Sequence, residues 1–262
     1  MELKDRKPAR SRASIPPNVL HYLNSGDLET ANLVEGLALR FDILLRAAVP
    51  GVPDSLCESV RDNQLGITRR MQLVGEWLAQ NQSTAELRQL RQHRSDTVRG
   101  WVAYALGGAK LSIQTLFQGI EPLANDPHFG VREWAWLGIR PRVIQQLPES
   151  LQILKKWARS PEMYVRRFSV ELTRPCGVWC PHLVALKQDP TPAAPLLEAN
   201  RADPAKYLQD SVSNWLSDAG KSQPDWVRST LQRWREESPV PATQRIISRV
   251  EKRLGNQSTR SS

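Results

Sequence analysis

The sequence predicts an all-α fold, an α-solenoid (α–α superhelix) of short helical repeats, and three observations predict it. Apolar residues recur at helical spacing through most of the 262 residues, and no alternating strand pattern stands out. Helix breakers punctuate that pattern at Pro50–Pro53, Gly107–Gly108, Asp126–Pro127, Pro141, Pro148, Ser160–Pro161, Pro175, Pro181, Asp189–Pro192, Asp203–Pro204 and Pro224. The chain also repeats itself. Val98-Arg99-Gly100-Trp101, Val131-Arg132-Glu133-Trp134 and Val165-Arg166-Arg167-Phe168 open on valines 33 and 34 residues apart. Helical repeats of this period bury their apolar faces only against a neighbour, and so they stack.

Taken in order, residues 1–17 are basic, rich in Ser and Pro, and lack an apolar h-region; they read as a disordered arm and not as a secretory signal. Residues 18–254 read as a single repeat domain. It opens with a capping pair of helices, Asn18–Asn24 and Leu28–Ala48. The second and third repeats share an Arg-Pro ending, Arg140-Pro141 and Arg174-Pro175, and a weaker fourth copy begins at Asp203-Pro204. Pro224–Glu237 and Ala242–Leu254 close the domain, and residues 255–262 read as a flexible tail. Trp101 and Trp134 share a repeat position with Phe168 and should be core; Trp77, Trp157, Trp226 and Trp234 also sit in amphipathic patterns. Trp136 and Trp215 stay open; Trp136, three residues after Glu133, could share its face and reach a groove.

Composition narrows the class. No run approaches the roughly 20 apolar residues that span a bilayer, so a membrane protein is not expected. Three cysteines are too few for a disulfide framework, which fits a reducing cytoplasm, the expected location. Net charge is +9, of which about +6 falls outside residues 1–17, and that balance favours a polyanionic partner. Cys176, Cys180 and His182 make a poor zinc set because the spacing is wrong and no partner pair exists; no metal or other cofactor is expected.

One segment carries chemistry. In the helix read from Pro161 to Thr173, Val165, Phe168 and Leu172 share a core face, while Arg167, Glu171 and Arg174 fall together on another. A carboxylate is thus flanked by two guanidinium groups. By itself this is an ordinary helix ion pair. Trp179, eight residues beyond Glu171 and past the helix-ending Pro175, is either a packing anchor or a stacking surface.

The stretch Arg166-Arg167-Phe-Ser-Val-Glu171-Leu-Thr-Arg174-Pro175-Cys-Gly-Val-Trp179 resembles the Arg-Arg-x-x-x-Glu-x-x-Arg-Pro-x-x-x-Trp segment of the AlkC-type alkylbase DNA glycosylases within the AlkC/AlkD family. Residues 26–38, with Glu29, Thr30, Asn32, Leu33 and Glu35, are similar to that family's N-terminal helix. Residues 211–221, with Asn214, Asp218 and Lys221, are similar to its late repeat. The resemblance implies a HEAT-like fold that excises cationic N-alkylated purines of the 3-methyladenine and 7-methylguanine type, without a metal, from double-stranded DNA held by its backbone. It implies Glu171 as the carboxylate facing the lesion's deoxyribose and Trp179 against the lesion backbone, with Asn214 and Asp218 in support. The family carries a second acid just before its Phe-x-Val-Arg segment; this chain has His128 there, with Asp126 and Glu133 as substitutes that do not align.

A fixed carboxylate near C1′ would stabilise the positive charge that grows on the sugar as the bond breaks. Arg99, Arg132, Arg166, Arg167, Arg174 and Lys221 recur near equivalent repeat positions and are expected to line a groove and hold phosphates, about half of them in direct contact. A monomer is expected, associating with the nucleoid when bound to DNA. Two other readings are a DNA-binding repeat protein without catalysis, and a protein-interaction scaffold, the commonest use of helical solenoids. The positive charge and the Glu171–Trp179 segment count against the scaffold.

Overall fold

The computed structural model describes residues 3–61, 64–177 and 179–258. Among them there are sixteen α-helices and no strand, so the all-helical fold read from the sequence is borne out. None of those helices is long and apolar enough to cross a membrane. The chain divides into two compact units, Met1–Arg140 and Pro141–Ser262.

The first unit carries α1 (Pro17–Ser25), α2 (Leu33–Ala38), α3 (Phe41–Ala48), α4 (Asp54–Arg61), α5 (Ile67–Asn81), α6 (Thr84–Leu90), α7 (Asp96–Gly108), α8 (Ile113–Ala124) and the start of α9 (Phe129–Gln145). The second holds α10 (Leu147–Trp157), α11 (Met163–Leu172), α12 (Val184–Gln188), α13 (Ala194–Asn200), α14 (Lys206–Ala219), α15 (Pro224–Glu237) and α16 (Pro241–Ser258). Pro141, expected to break a helix, lies inside α9. The flexible tail was read from residue 255, but α16 continues to Ser258; residues 259–262 lie outside the described residues.

Tight packing follows from small residues where backbones meet. A Cβ on Gly75 of α5 would lie 2.3 Å from the Cβ of Tyr104, and one on Gly138 of α9 would lie 2.7 Å from the backbone of Ala103. Only glycine permits these approaches of α5 and α9 to α7. Trp101 is fully buried against Phe41, with ring centroids 5.8 Å apart. Trp215, left open by the sequence, is core: its indole N–H donates to the Thr173 carbonyl at 2.9 Å.

The helix expected over Leu28–Ala48 is broken. Residues 26–32 form a loop, Asn32 caps α2 by accepting the Glu35 N–H at 3.0 Å, and Leu39 and Arg40 are extended. The arm expected to be disordered is tied down over part of its length. Arg6 is ion-paired with buried Glu35 and donates to the Glu29 carbonyl at 2.7 Å, while Asn32 donates to the Ala9 carbonyl at 2.7 Å. A buried carboxylate needs a counter-charge, and the arm supplies it.

The repeats share one polar device. In the turns before α7, α9, α11 and α14, the side chains of His93, Asp126, Ser160 and Asp203 each accept the backbone N–H two residues on. Six residues after each of them stands Arg99, Arg132, Arg166 or Gln209, whose side chain donates back to the turn's carbonyl. Each arginine also reaches the next carbonyl. Turn carbonyls that no helix can pair are satisfied in this way.

Candidate functional site

The second unit gathers five of the expected site residues into one ion-pair network. Glu171, near the end of α11, is 2% exposed, with one oxygen 3.3 Å from Arg167 and the other 3.2 Å from Arg174. Arg174 turns its other edge to Asp218 of α14, donating from Nε at 2.9 Å and from Nη2 at 2.8 Å. Lys221 closes the chain on the second Asp218 oxygen at 2.8 Å. Burial by itself would lower the Arg174 pKa; Glu171 and Asp218 outweigh it and raise it above the ordinary guanidinium value. The guanidinium of Arg167 also lies 4.1 Å from the ring centre of Tyr207, a cation–π contact. The network's most exposed member is Lys221, at 48% side-chain exposure.

Trp179 stands on the loop that follows. It is 53% exposed and has φ of +67°, the left-handed region that a bulky residue enters only at a cost of about 1–3 kcal/mol. The loop is closed by the Leu183 N–H on the Pro175 carbonyl at 2.9 Å, and a Cβ on Gly177 would meet Cys180 at 2.4 Å. The indole of Trp179 is thus held out from a tight loop on a strained backbone. Cys176, weighed as a zinc ligand, instead has its thiol 3.8 Å from the Asp218 carbonyl.

The first unit gathers a different set. Arg99 forks onto Asp126 at 2.8 and 3.0 Å and onto Glu29 at 2.5 Å. His128 accepts the Gly130 N–H on Nδ1 at 3.1 Å, which puts its proton on Nε2, directed at the Thr30 carbonyl 2.7 Å away. Behind it, buried Asp96 accepts the N–H and hydroxyl of Thr30 at 2.9 and 2.8 Å. Burial pushes its carboxyl pKa up, against the opposing effect of the hydrogen bonds from Thr30. The loop from Glu29 to Ala31 is therefore anchored from several sides, and it floors a cleft of about 790 Å³.

Several expected roles are corrected. Arg99, Arg132 and Arg166, expected to hold phosphates, hold turn carbonyls; Arg99 and Arg166 also pair with Asp126 and Asp203. Arg99 divides its guanidinium between Asp126, Glu29 and two turn carbonyls, while Arg132 and Arg166 each place one terminal nitrogen on two turn carbonyls. Asp126, considered as a substitute acid, is occupied by Arg99 and the His128 N–H. Glu133 accepts the Trp136 indole N–H at 3.0 Å, and Trp136 is 7% exposed, so it does not reach a groove. Asn214 accepts from Arg253 at 2.6 Å and, among the described residues, has no hydrogen bond to the Glu171 network. Glu29, Asp96 and His93 were given no role by sequence reasoning; Glu29 stood only inside a recognised motif.

Residues 131–246 match the family described as DNA alkylation repair enzyme. The chain is similar to the Pseudomonas fluorescens alkylpurine DNA glycosylase AlkC bound to DNA containing an abasic site analog, with a TM-score of 0.64 and 21% identity over 80% of this chain and 59% of that one. AlkD2 from Streptococcus mutans gives 0.60 and 17% identity over 76% of this chain and 97% of its own. A 117-residue stretch is 30% identical to the Bacillus subtilis protein YhaZ and spans 45% of this chain but only 32% of that relative. The chain thus covers about a third of YhaZ, and the matched family segment includes all five residues of the Glu171 network.

Proposed function

We propose that this protein is a DNA glycosylase that removes cationic N-alkylated purines, of the 3-methyladenine and 7-methylguanine type, from double-stranded DNA. The observation that carries the reading is the Arg167–Glu171–Arg174–Asp218–Lys221 network beside an exposed, strained Trp179. In the reaction the bond between C1′ and the base nitrogen breaks, and the purine keeps the electron pair and leaves neutral. The sugar takes the positive charge, water adds at C1′, and its proton passes to a carboxylate or to solvent, leaving an abasic site. The base is already a cation, so no acid is needed to expel it. A negative side chain opposite the sugar supplies the stabilisation.

Glu171 is covered at rest, and Arg174, with a 20% exposed side chain, lies across one of its oxygens. In this reading a backbone phosphate draws Arg174 and Lys221 outward and uncovers the carboxylate. The indole of Trp179 adds a cation–π contact to the developing charge. Two specific observations, the burial of Glu171 and the pairing of both its oxygens, favour a second reading: DNA binding without catalysis. Base release from methylated duplex DNA separates the two. The wild type should free methylated purines and Glu171→Gln should lose at least about 100-fold of that rate, with duplex affinity and melting temperature measured alongside. Silence of the wild type on every alkylated substrate would leave the binding reading.

A further inference from the structure

A guanidinium taken out of water needs a partner, because an unanswered buried charge is costly. The buried arginines Arg99, Arg132 and Arg167 meet that need with carboxylates or turn carbonyls. Arg70, on α5, has neither. It is 5% exposed, and its guanidinium carbon stands 4.6 Å over the ring centre of Phe41, which is itself fully buried. Its Nε is sealed from solvent with no hydrogen bond, whereas its terminal nitrogens are not so sealed. Among the described residues no carboxylate answers it. Burial lowers its pKa first, and the charge of Arg12 lowers it further.

Arg12 belongs to the N-terminal arm, in a single turn of 3-10 helix, Arg12–Ser14. Its side chain is exposed, and the arm is pinned on either side of it by buried Ala9 and Ile15. The arm therefore acts in two senses. At Arg6 it brings a cation to a buried acid, Glu35. At Arg12 it brings a cation to a buried cation. The first arrangement closes a charge pair; the second sets like charges side by side, which is unfavourable unless an anion stands between them.

The Phe41 ring covers one face of the Arg70 guanidinium but accepts nothing from its edge. That edge is a planar fork of N–H donors, the shape that matches an oxyanion. The ring beneath it holds the fork in place, so little freedom is lost on binding. Two guanidinium groups with no carboxylate between them call for a dianion. A phosphate monoester carries about −1.5 to −2 charge at pH 7 and three strong acceptor oxygens. A carboxylate or a phosphodiester brings a single negative charge and leaves one cation unanswered.

We propose that Arg70 and Arg12 form a binding site for a phosphate monoester dianion at the seam between the N-terminal arm and α5, with Arg70 as the fixed fork and Arg12 as the outer cation. The site lies within the first unit and does not depend on the glycosylase reading. Its ligand is either a small free monoester or the 5′-terminal phosphate of a DNA strand, which present the same chemistry.

The test uses the full chain at about pH 7.5 and constant ionic strength, with inorganic phosphate as the dianion and dimethyl phosphate and acetate as singly charged controls. Binding is followed through the Nε–H NMR signal of Arg70, identified as the one absent from Arg70→Met, and through melting temperature. Phosphate should shift that signal saturably and raise the melting temperature, at least about tenfold more tightly than either control. Arg70→Met, which removes the unanswered charge, should stay folded and lose the phosphate-dependent rise in melting temperature. Arg12→Gln, a change on the surface, should keep the Arg70 signal and weaken phosphate at least about tenfold. No saturable shift, equal binding of acetate or dimethyl phosphate, undiminished affinity in Arg12→Gln, or a rise surviving in Arg70→Met overturns the site. Two otherwise identical duplexes, one with 5′-phosphate and one with 5′-hydroxyl ends, identify the source. A preference for the phosphorylated ends that Arg70→Met abolishes upholds the site and assigns it to a DNA terminus. No preference between the duplexes, beside Arg70-dependent binding of inorganic phosphate, upholds it for a small monoester. Equal weakening of both duplexes by Arg70→Met makes Arg70 a backbone contact and overturns the monoester assignment. None of these readouts involves base release.

Discussion

The two units use one motif in opposite senses. In each, an arginine bridges two carboxylates: Arg99 between Asp126 and Glu29, Arg174 between Glu171 and Asp218. In the first unit the guanidinium is the covered member, at 9% side-chain exposure, and an acid looks out. In the second both acids are covered, at 3% and 6%, and Lys221 looks out at 48%. The first set therefore presents a negative charge and the second a positive one. The difference lies in which partner the fold leaves in water.

Several measurements would break or sharpen that contrast. The largest effect belongs to Arg99→Met, which strands Asp126 in the interior; it should cost about 3–5 kcal/mol by chemical denaturation. Arg132→Met should cost about 1–3 kcal/mol for its orphaned turn carbonyls, with no change in the salt dependence of DNA binding. If either substitution instead lowers the salt slope with stability intact, the capping role is wrong and these arginines reach phosphate after all.

Lys221→Ala should do the reverse. It should leave the melting curve nearly in place, weaken duplex binding and reduce the slope of log affinity against log salt by about one. An unchanged slope would remove the second unit's outward charge from the interface.

Trp179→Gly should raise stability by about 1 kcal/mol through relief of the left-handed backbone, while base release falls. A loss of both would mark the indole as a packing anchor.

The smallest effect concerns His93. Its folded pKa lies below the ordinary 6.5, because the native state resists protonation. The stability it contributes is complete above about pH 6.5 and is lost as pH falls toward the folded value. Wild type should thus lose more stability than His93→Gln between pH 7.5 and 5, read from paired urea titrations. Parallel pH curves for the two proteins would contradict that depression.

Much of this was legible beforehand because it is periodic. The 33- and 34-residue spacing located the repeat helices, and the shared Val-Arg-x-aromatic pattern placed Trp101, Trp134 and Phe168 inside. Glu171 between Arg167 and Arg174 followed from helix geometry, since residues three and four apart share a face. Asp218 and Lys221 were named from the motif, but their union with Arg174 crosses 44 residues of chain, and no local rule foretells it.

By itself the sequence determined the helices, their period, the core aromatics and the local charges on each face, because these depend on side-chain spacing along a regular backbone. Tertiary structure alone decided what each arginine holds. A row of guanidinium groups at equivalent repeat positions reads as a grip on phosphate, yet Arg99, Arg132 and Arg166 turn back onto the carbonyls of their own turns. Glu29, inconspicuous in the chain, shares Arg99 with Asp126 across 70 residues of chain, a partnership no local spacing announces. Spacing fixes where a side chain starts, whereas its partner is set by which distant polar groups lose water beside it and must be satisfied.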